Sequence, residues 1–261
     1  LPTIISYQEP WPEPALEQAT REAGGSVWAG LPRTQSGAAE YRLLKNDAYW
    51  LGYSESRNDP LWAGYSLRKE QGEKATKRPG SFKPDTRLAN PPKHGDFTNT
   101  GFDRGHMAPN SALATRFGDA GQLETFWTSN ICPQAPNLNR KVWEKLERLE
   151  DDKYANSLGG VWVVTGPIFD EKREFLQSRR RQDIEIPDAF FKIIIDELAT
   201  DVRFLPFLIP QTVKGNEVPE QFLTTVDEIE RQSGFDFFPA LSENRQKCLE
   251  AEQPKTIWPL P

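Results

Sequence analysis

Gly101-Phe102-Asp103-Arg104-Gly105-His106-Met107-Ala108-Pro109-Asn110 holds one of only two histidines in a chain of 261 residues. The segment sets a candidate general base next to an arginine, and Gly105 between them would permit a close backbone turn beside a ligand. On residues alone, a histidine beside an arginine is more often structural than catalytic. Downstream come Ser129-Asn130-Ile131-Cys132-Pro133-Gln134 and then Asn137-Leu138-Asn139-Arg140-Lys141-Val142-Trp143-Glu144-Lys145-Leu146-Glu147. Leu138, Val142, Leu146 and Leu149 recur at helical spacing, which predicts a helix with Trp143 and Leu146 in the core. Asn139 would suit the N-cap of such a helix, and Glu147 a solvated position paired with Lys or Arg.

Strand-like runs flank this centre. Residues 47–53 and 61–67 are aromatic-rich and separated by Asn58-Asp59-Pro60, which predicts an antiparallel pair. Residues 161–165 read as a short buried strand ended by Gly166-Pro167, and residues 190–195 and 202–208 as two more. A short helix is expected over residues 225–231, stopped near Gly234. Strands lie before and after a central helix without βαβ alternation, and no internal repeat interrupts them. That pattern predicts an α+β fold, a mainly antiparallel central sheet flanked by helices. Residues 1–14 carry four prolines and read as a surface arm. The expected organisation is an extended arm and lead-in over 1–44, one main domain over 45–245, and a tail over 246–261 packed on it.

Composition narrows the function classes. Eight Trp and fifteen Phe are too many for a disordered chain, and no apolar run approaches the ~18 residues of a membrane span. Two cysteines exclude a disulfide-dense scaffold. For Cys132 and Cys248, 116 residues apart, a mutual disulfide and two free thiols are both open readings. The net charge of −6 argues against a protein that coats nucleic acid. The charge is uneven, however. Residues 66–104 hold nine Lys/Arg against five Asp/Glu, a local +4, which leaves −10 for the rest. A basic segment on an acidic body suits an enzyme for a polyanion, because it attracts phosphate locally and limits unproductive coating. The run Arg179-Arg180-Arg181 reads as a surface feature. The chain opens on Leu1, which is read as a removed secretory signal, with a periplasmic or extracellular location expected rather than a mitochondrial one.

Residues 102–147 resemble the DNA/RNA non-specific endonucleases of the ββα-metal (His-Me finger) class, bacterial members above all. The likeness lies in the intact Asp103-Arg104-Gly105-His106 followed by Ala108-Pro109, in Ser129-Asn130 with Pro133-Gln134, and in Leu138-Asn139 with Trp143 and Leu146-Glu147. The resemblance implies a ββα-metal motif within the α+β fold and a Mg²⁺-dependent, sugar-non-specific cut of DNA and RNA that leaves 5′-phosphate ends. Mn²⁺ or another divalent ion would substitute. It also implies the roles. His106 would be the general base and Asn139 the direct metal ligand, with Glu147 acting on the metal through water. Arg104 and Arg78 would face the phosphate, with Arg87 and Lys77 as competitors for the place of Arg78. Asn130 would help organise the site, and Asp103 would hold the Arg-Gly-His turn or stand behind the metal ligand. His94 would be a surface or substrate-side residue.

Mg²⁺ dehydrates reluctantly, so one amide ligand and several waters suit it. Asn139 and Glu147 are eight residues apart, about 12 Å along an α-helix and about 80° around it, too far for both to contact one ion. DNA and RNA are the implied partners, a membrane is not, and the resemblance allows a homodimer. The rival reading is a catalytically silent nucleic-acid-binding protein of the same fold, against which stand the intact His106, Asn139 and Glu147.

Overall fold

The computed structural model describes residues 14–35, 40–69, 75, 77–198 and 201–259. The arm expected over residues 1–14 therefore lies, but for Pro14, outside the described residues.

Ten strands are described: β1 (Arg33–Thr34), β2 (Arg42–Lys45), β3 (Trp50–Ser54), β4 (Asp59–Arg68), β5 (Asp103–His106), β6 (Ile131–Gln134), β7 (Gly160–Ile168), β8 (Ala189–Asp196), β9 (Arg203–Pro210) and β10 (Phe235–Asp236). Six of them form one sheet in the order β2-β3-β4-β7-β8-β9, antiparallel at every joint. The α+β class with a mainly antiparallel sheet is what the chain adopts. Apolar side chains alternate along its strands. Val161 and Val163 of β7 enter one core with Leu205 and Phe207, while Trp162 and Val164 enter a second core with Phe191 and Ile193. A sheet buried on both faces gives the nearly continuous apolar runs of β7 and β8. Gly166-Pro167 does not end β7, because both residues pair with β8 (Gly166↔Phe191, Pro167↔Phe190).

One face carries α2 (Asn110–Thr125) and the long helix containing α3 (Glu144–Arg148), whose Leu138, Val142, Trp143 and Leu146 are wholly buried. The opposite face carries α1 (Pro14–Glu22) and α4 (Val226–Ser233), followed by α5 (Glu243–Leu249). Thr225 caps α4 by accepting from Glu228 N at 3.0 Å, and Gly234 closes it in the left-handed region at φ 75°. The expected lead-in over 1–44 thus contains a helix, and Val27, Trp28 and Ala29 sit in the second core. In the segment after 245, Trp258 is buried, with its carbonyl accepting from Tyr154 Oη at 3.1 Å. Cys132 is buried in β6 and Cys248 is exposed on α5; both are free thiols, so the disulfide reading does not hold. Arg179-Arg180-Arg181 is not wholly a surface feature either. Arg181 binds Asn90 O at 2.8 Å and Asn58 Oδ1 at 2.5 Å. No described helix is long and apolar enough to cross a membrane.

Candidate active-site cleft

β5 and β6 form a two-stranded ribbon with Asp103 opposite Gln134, Gly105 opposite Cys132 and His106 opposite Ile131. Gly105 is therefore not in a turn. It lies in mid-strand, where a Cβ would sit 2.4 Å from Gln134 Oε1 and 2.6 Å from Gln134 Cβ. Glycine is needed there because the buried Gln134 side chain crosses over the backbone. The helix that follows the ribbon begins with a π-wound stretch (Leu138–Trp143), continues as α3, and returns to π winding over Leu149–Ala155. Strand, strand and helix enclose a cleft of about 590 Å³ that brings together Arg78, Arg104, His106, Asn139 and Glu147. The wider π turn advances each residue by less than the about 100° of an α-helix. Asn139 and Glu147 accordingly reach the same cleft despite the 80° offset that α geometry assigns them. Asn139 is within the helix and is not its N-cap.

His106 packs between two aromatic rings, 5.2 Å from Phe82 and 5.5 Å from Phe126 by centroid, and its Nε2 is shut from solvent without a hydrogen-bond partner. Burial, with the Arg78 charge second, lowers its pKa to about 3. Arg78 itself lies over the Phe126 ring at 5.6 Å. Arg87, its expected competitor, is spent elsewhere: its Nη2 donates to Asp85 Oδ2 at 2.6 Å and to Asn46 Oδ1 at 2.9 Å. Lys77 is exposed and does not line the cleft.

Arg104 donates from Nη2 to His94 O at 2.7 Å and to Thr98 Oγ1 at 2.8 Å while facing the cleft. His94 is more than a surface residue. Its ring stacks on Phe82 at 5.9 Å, and its Nδ1 accepts from Phe82 N at 3.2 Å. Asn130 lies outside the cleft and is fully buried. Its Oδ1 accepts from Ala108 N at 2.8 Å and its Nδ2 donates to Ala108 O at 2.9 Å, fixing the chain just past His106.

Asp103 does not brace a turn. It ties the ribbon to the helix by accepting from Asn139 Nδ2 at 3.0 Å and from Arg140 Nε at 2.7 Å. Burial pushes its pKa up, but the Arg140 and Asn139 hydrogen bonds and the Arg140 and Arg104 charges outweigh this, so it stays a carboxylate. With Nδ2 committed, Asn139 has Oδ1 left to offer, the hard oxygen that Mg²⁺ prefers. Among the described residues of the cleft, no three carboxylate, imidazole or thiol ligand atoms converge within 4.8 Å. A metal held here would rest on the amide and water.

Glu147 is raised to about 7, first by burial and then, against the pull of Lys192, by Glu150, Glu144 and Asp151. Behind it lies a buried pair that sequence reading missed. Lys192 Nζ donates to Glu150 Oε2 at 2.7 Å and sits 4.7 Å over the Trp143 ring, while Tyr65 Oη donates to Glu150 Oε1 at 2.9 Å. Phe126 and Arg140 were also missed as site residues. Arg140 stood within the quoted helix block, but Phe126 reaches the site only through the path of α2, for which the local sequence has no signal.

Fold and cleft define a class: an α+β protein whose strand-strand-helix unit presents a histidine, an asparagine and arginines to one groove. A family model described as DNA/RNA non-specific endonuclease matches residues 32–244, and the chain belongs to that family. It is 34% identical over 157 residues to human mitochondrial endonuclease G, covering 55% of this chain and 50% of the relative. It is 33% identical over 153 residues to the Serratia marcescens nuclease, covering 58% and 56%. The chain thus spans about half the length of these relatives. Its fold is similar to a chain from the crystal structure of the EndoG/EndoGI complex, with a TM-score of 0.70 and 22% identity over 90% of this chain and 95% of that one.

Proposed function

We propose that this protein is a Mg²⁺-dependent, sugar-non-specific endonuclease that hydrolyses phosphodiester bonds of DNA and RNA. The reading is carried by a neutral imidazole, His106, sharing one cleft with an Asn139 amide already oriented by Asp103. A base must be unprotonated to act, and a pKa near 3 keeps His106 so across the neutral range. With Nε2 closed off, Nδ1 takes the proton from the attacking water. Arg78 and Arg104 neutralise the phosphoryl oxygens, and their contacts to the backbone phosphate carry no base sequence, which accounts for the lack of specificity. Asn139 would hold the divalent ion through its free Oδ1, and Glu147, in the same cleft, would orient water beside it. The ion, when bound, supplies Lewis-acid stabilisation of the departing 3′ oxygen. Asn130 holds the chain beside His106 and touches no substrate. The products bear 5′-phosphate and 3′-hydroxyl ends.

The test is digestion of plasmid DNA and of RNA in Mg²⁺ or in EDTA by wild type, His106→Ala and His94→Ala. Chelation and His106→Ala are expected to abolish cutting of both substrates, a loss of about 10²–10⁴-fold for the base. His94→Ala, which removes a ring stacked on Phe82 and its hydrogen bond from Phe82 N but no group assigned to the reaction, is expected to keep cutting. Undiminished cleavage by His106→Ala would overturn the mechanism. Wild type that binds both nucleic acids and cuts neither would favour the silent binding protein.

A further inference from the structure

On the face of the sheet opposite the cleft, Asp227 and Glu230 of α4 meet Glu250, the residue that ends α5. One carboxylate oxygen from each lies within 4.8 Å of those from the other two. Glu230 and Glu250 are buried and Asp227 is exposed. Asp227 alone is unremarkable, since an acid in the first turn of a helix answers the helix dipole. That explanation does not extend to the other two. Glu230 lies in the second half of α4, beyond the first turn that favours an acid, and among the described residues its side chain has one hydrogen bond, Oε1 accepting from Phe237 N at 2.7 Å. Glu250 is 5% exposed, and its Oε1 is buried without any hydrogen-bond partner. A buried carboxylate oxygen left unpaired is costly, and buried carboxylates are normally paired with a cation or coordinated to a metal. The fold therefore gathers three carboxyl groups at one point and leaves a buried oxygen of one of them unpaired.

We propose that Asp227, Glu230 and Glu250 form a second, non-catalytic site for a hard divalent cation, best matched by Ca²⁺. Ca²⁺ takes oxygen ligands at ~2.3–2.6 Å in loose geometry, so oxygens on opposite sides of one ion stand up to about 5 Å apart. The observed spacing falls within that span without rearrangement. The exposed Asp227 provides the entry, and the orphaned Glu250 oxygen gains the partner it lacks. Asp227 N already donates to Glu250 O at 3.1 Å, so an ion at this point clasps α4 to the end of α5. The site shares no residue with the cleft, and its role is structural.

The experiment uses the full chain stripped with EDTA and titrated with CaCl₂ at constant ionic strength, followed by calorimetry and by thermal unfolding. Wild type, Asn139→Ala, Asp227→Asn and Glu250→Gln are compared, the second to remove the metal ligand proposed for the cleft. Wild type and Asn139→Ala are expected to bind Ca²⁺ and to gain in Tm. Glu250→Gln and Asp227→Asn are expected to weaken that binding at least about tenfold and to lose the gain. Asp227 is exposed, so Asp227→Asn keeps the test decisive even if Glu250→Gln does not fold. Binding that disappears in Asn139→Ala, or that persists undiminished in both Asp227→Asn and Glu250→Gln, would overturn the proposal. So would a wild type indifferent to Ca²⁺, which would instead mean that the three carboxyls share protons.

Discussion

His106 owes its titration to Phe82, Phe126 and Arg78, none of which is its neighbour in sequence. Its folded pKa, about 3, lies below the usual 6.5, so the fold holds the neutral ring. The stability this contributes is full above pH 6.5 and is lost as pH falls from there through about 3. Urea unfolding between about pH 7 and pH 4 should therefore show a smaller acid loss for His106→Gln than for wild type. In Arg78→Gln, which removes the repelling charge, the imidazole followed by NMR should titrate at a higher pH than in wild type. Lys192→Met would leave the Glu150 carboxylate in the core without its cation. A loss of about 3–5 kcal/mol is expected in urea unfolding at neutral pH. His106, Arg104, Asn139 and Glu147 were legible in the sequence because they fall in two contiguous blocks. Phe126 and Lys192 were not, because they reach the site by tertiary contact across 20 and 45 positions from His106 and Glu147.

At the scale of elements, the ribbon of β5 and β6 depends on one missing side chain. Gly105→Ala would drive a methyl group into Gln134, and Gln134 is itself buried under Gly105. The expected cost is about 1–3 kcal/mol by urea unfolding, accompanied by slower cleavage as Asp103 and His106 shift on either side. The sequence misplaced this glycine in a turn because Asp-Arg-Gly-His has no alternation to reveal a strand of four residues. The long strands were legible from their apolar runs, and α4 from Thr225 and Gly234 at its ends. The helix from Leu138 was legible from its apolar repeat, but its winding was not. Leu138, Val142 and Leu146 fit α and π spacing alike, and only the closed backbone shows the wider turn that brings Asn139 round to Glu147.

At the scale of the molecule, the net charge of −6 combines an acidic body with a basic segment, and that segment includes Arg78 and Arg104 at the cleft. Association with nucleic acid should then be salt-sensitive through few contacts. The KM for DNA is expected to rise between about 50 and 200 mM salt; Lys83 and Lys93 are exposed residues of the basic segment that do not line the cleft, and Lys83→Gln with Lys93→Gln is expected to flatten the log–log slope by about 1–2 while kcat holds. Steady-state kinetics across a salt series measures both. The two-faced sheet was only half legible. The apolar runs announced burial, but nothing local showed that residues 14–31 would cover the second face. Closure of that face also has a temporal side. β1 pairs with β10, Arg33 with Asp236 and Thr34 with Phe235, so one of the earliest strands waits for one of the last. During synthesis on the ribosome, the ribbon bearing His106 is complete some 100 residues before that pair can form. A nascent chain would thus hold the ribbon that bears His106 well before β1 and β10 meet, and the order of emergence leaves the frame around the cleft open until residue 236 has been made.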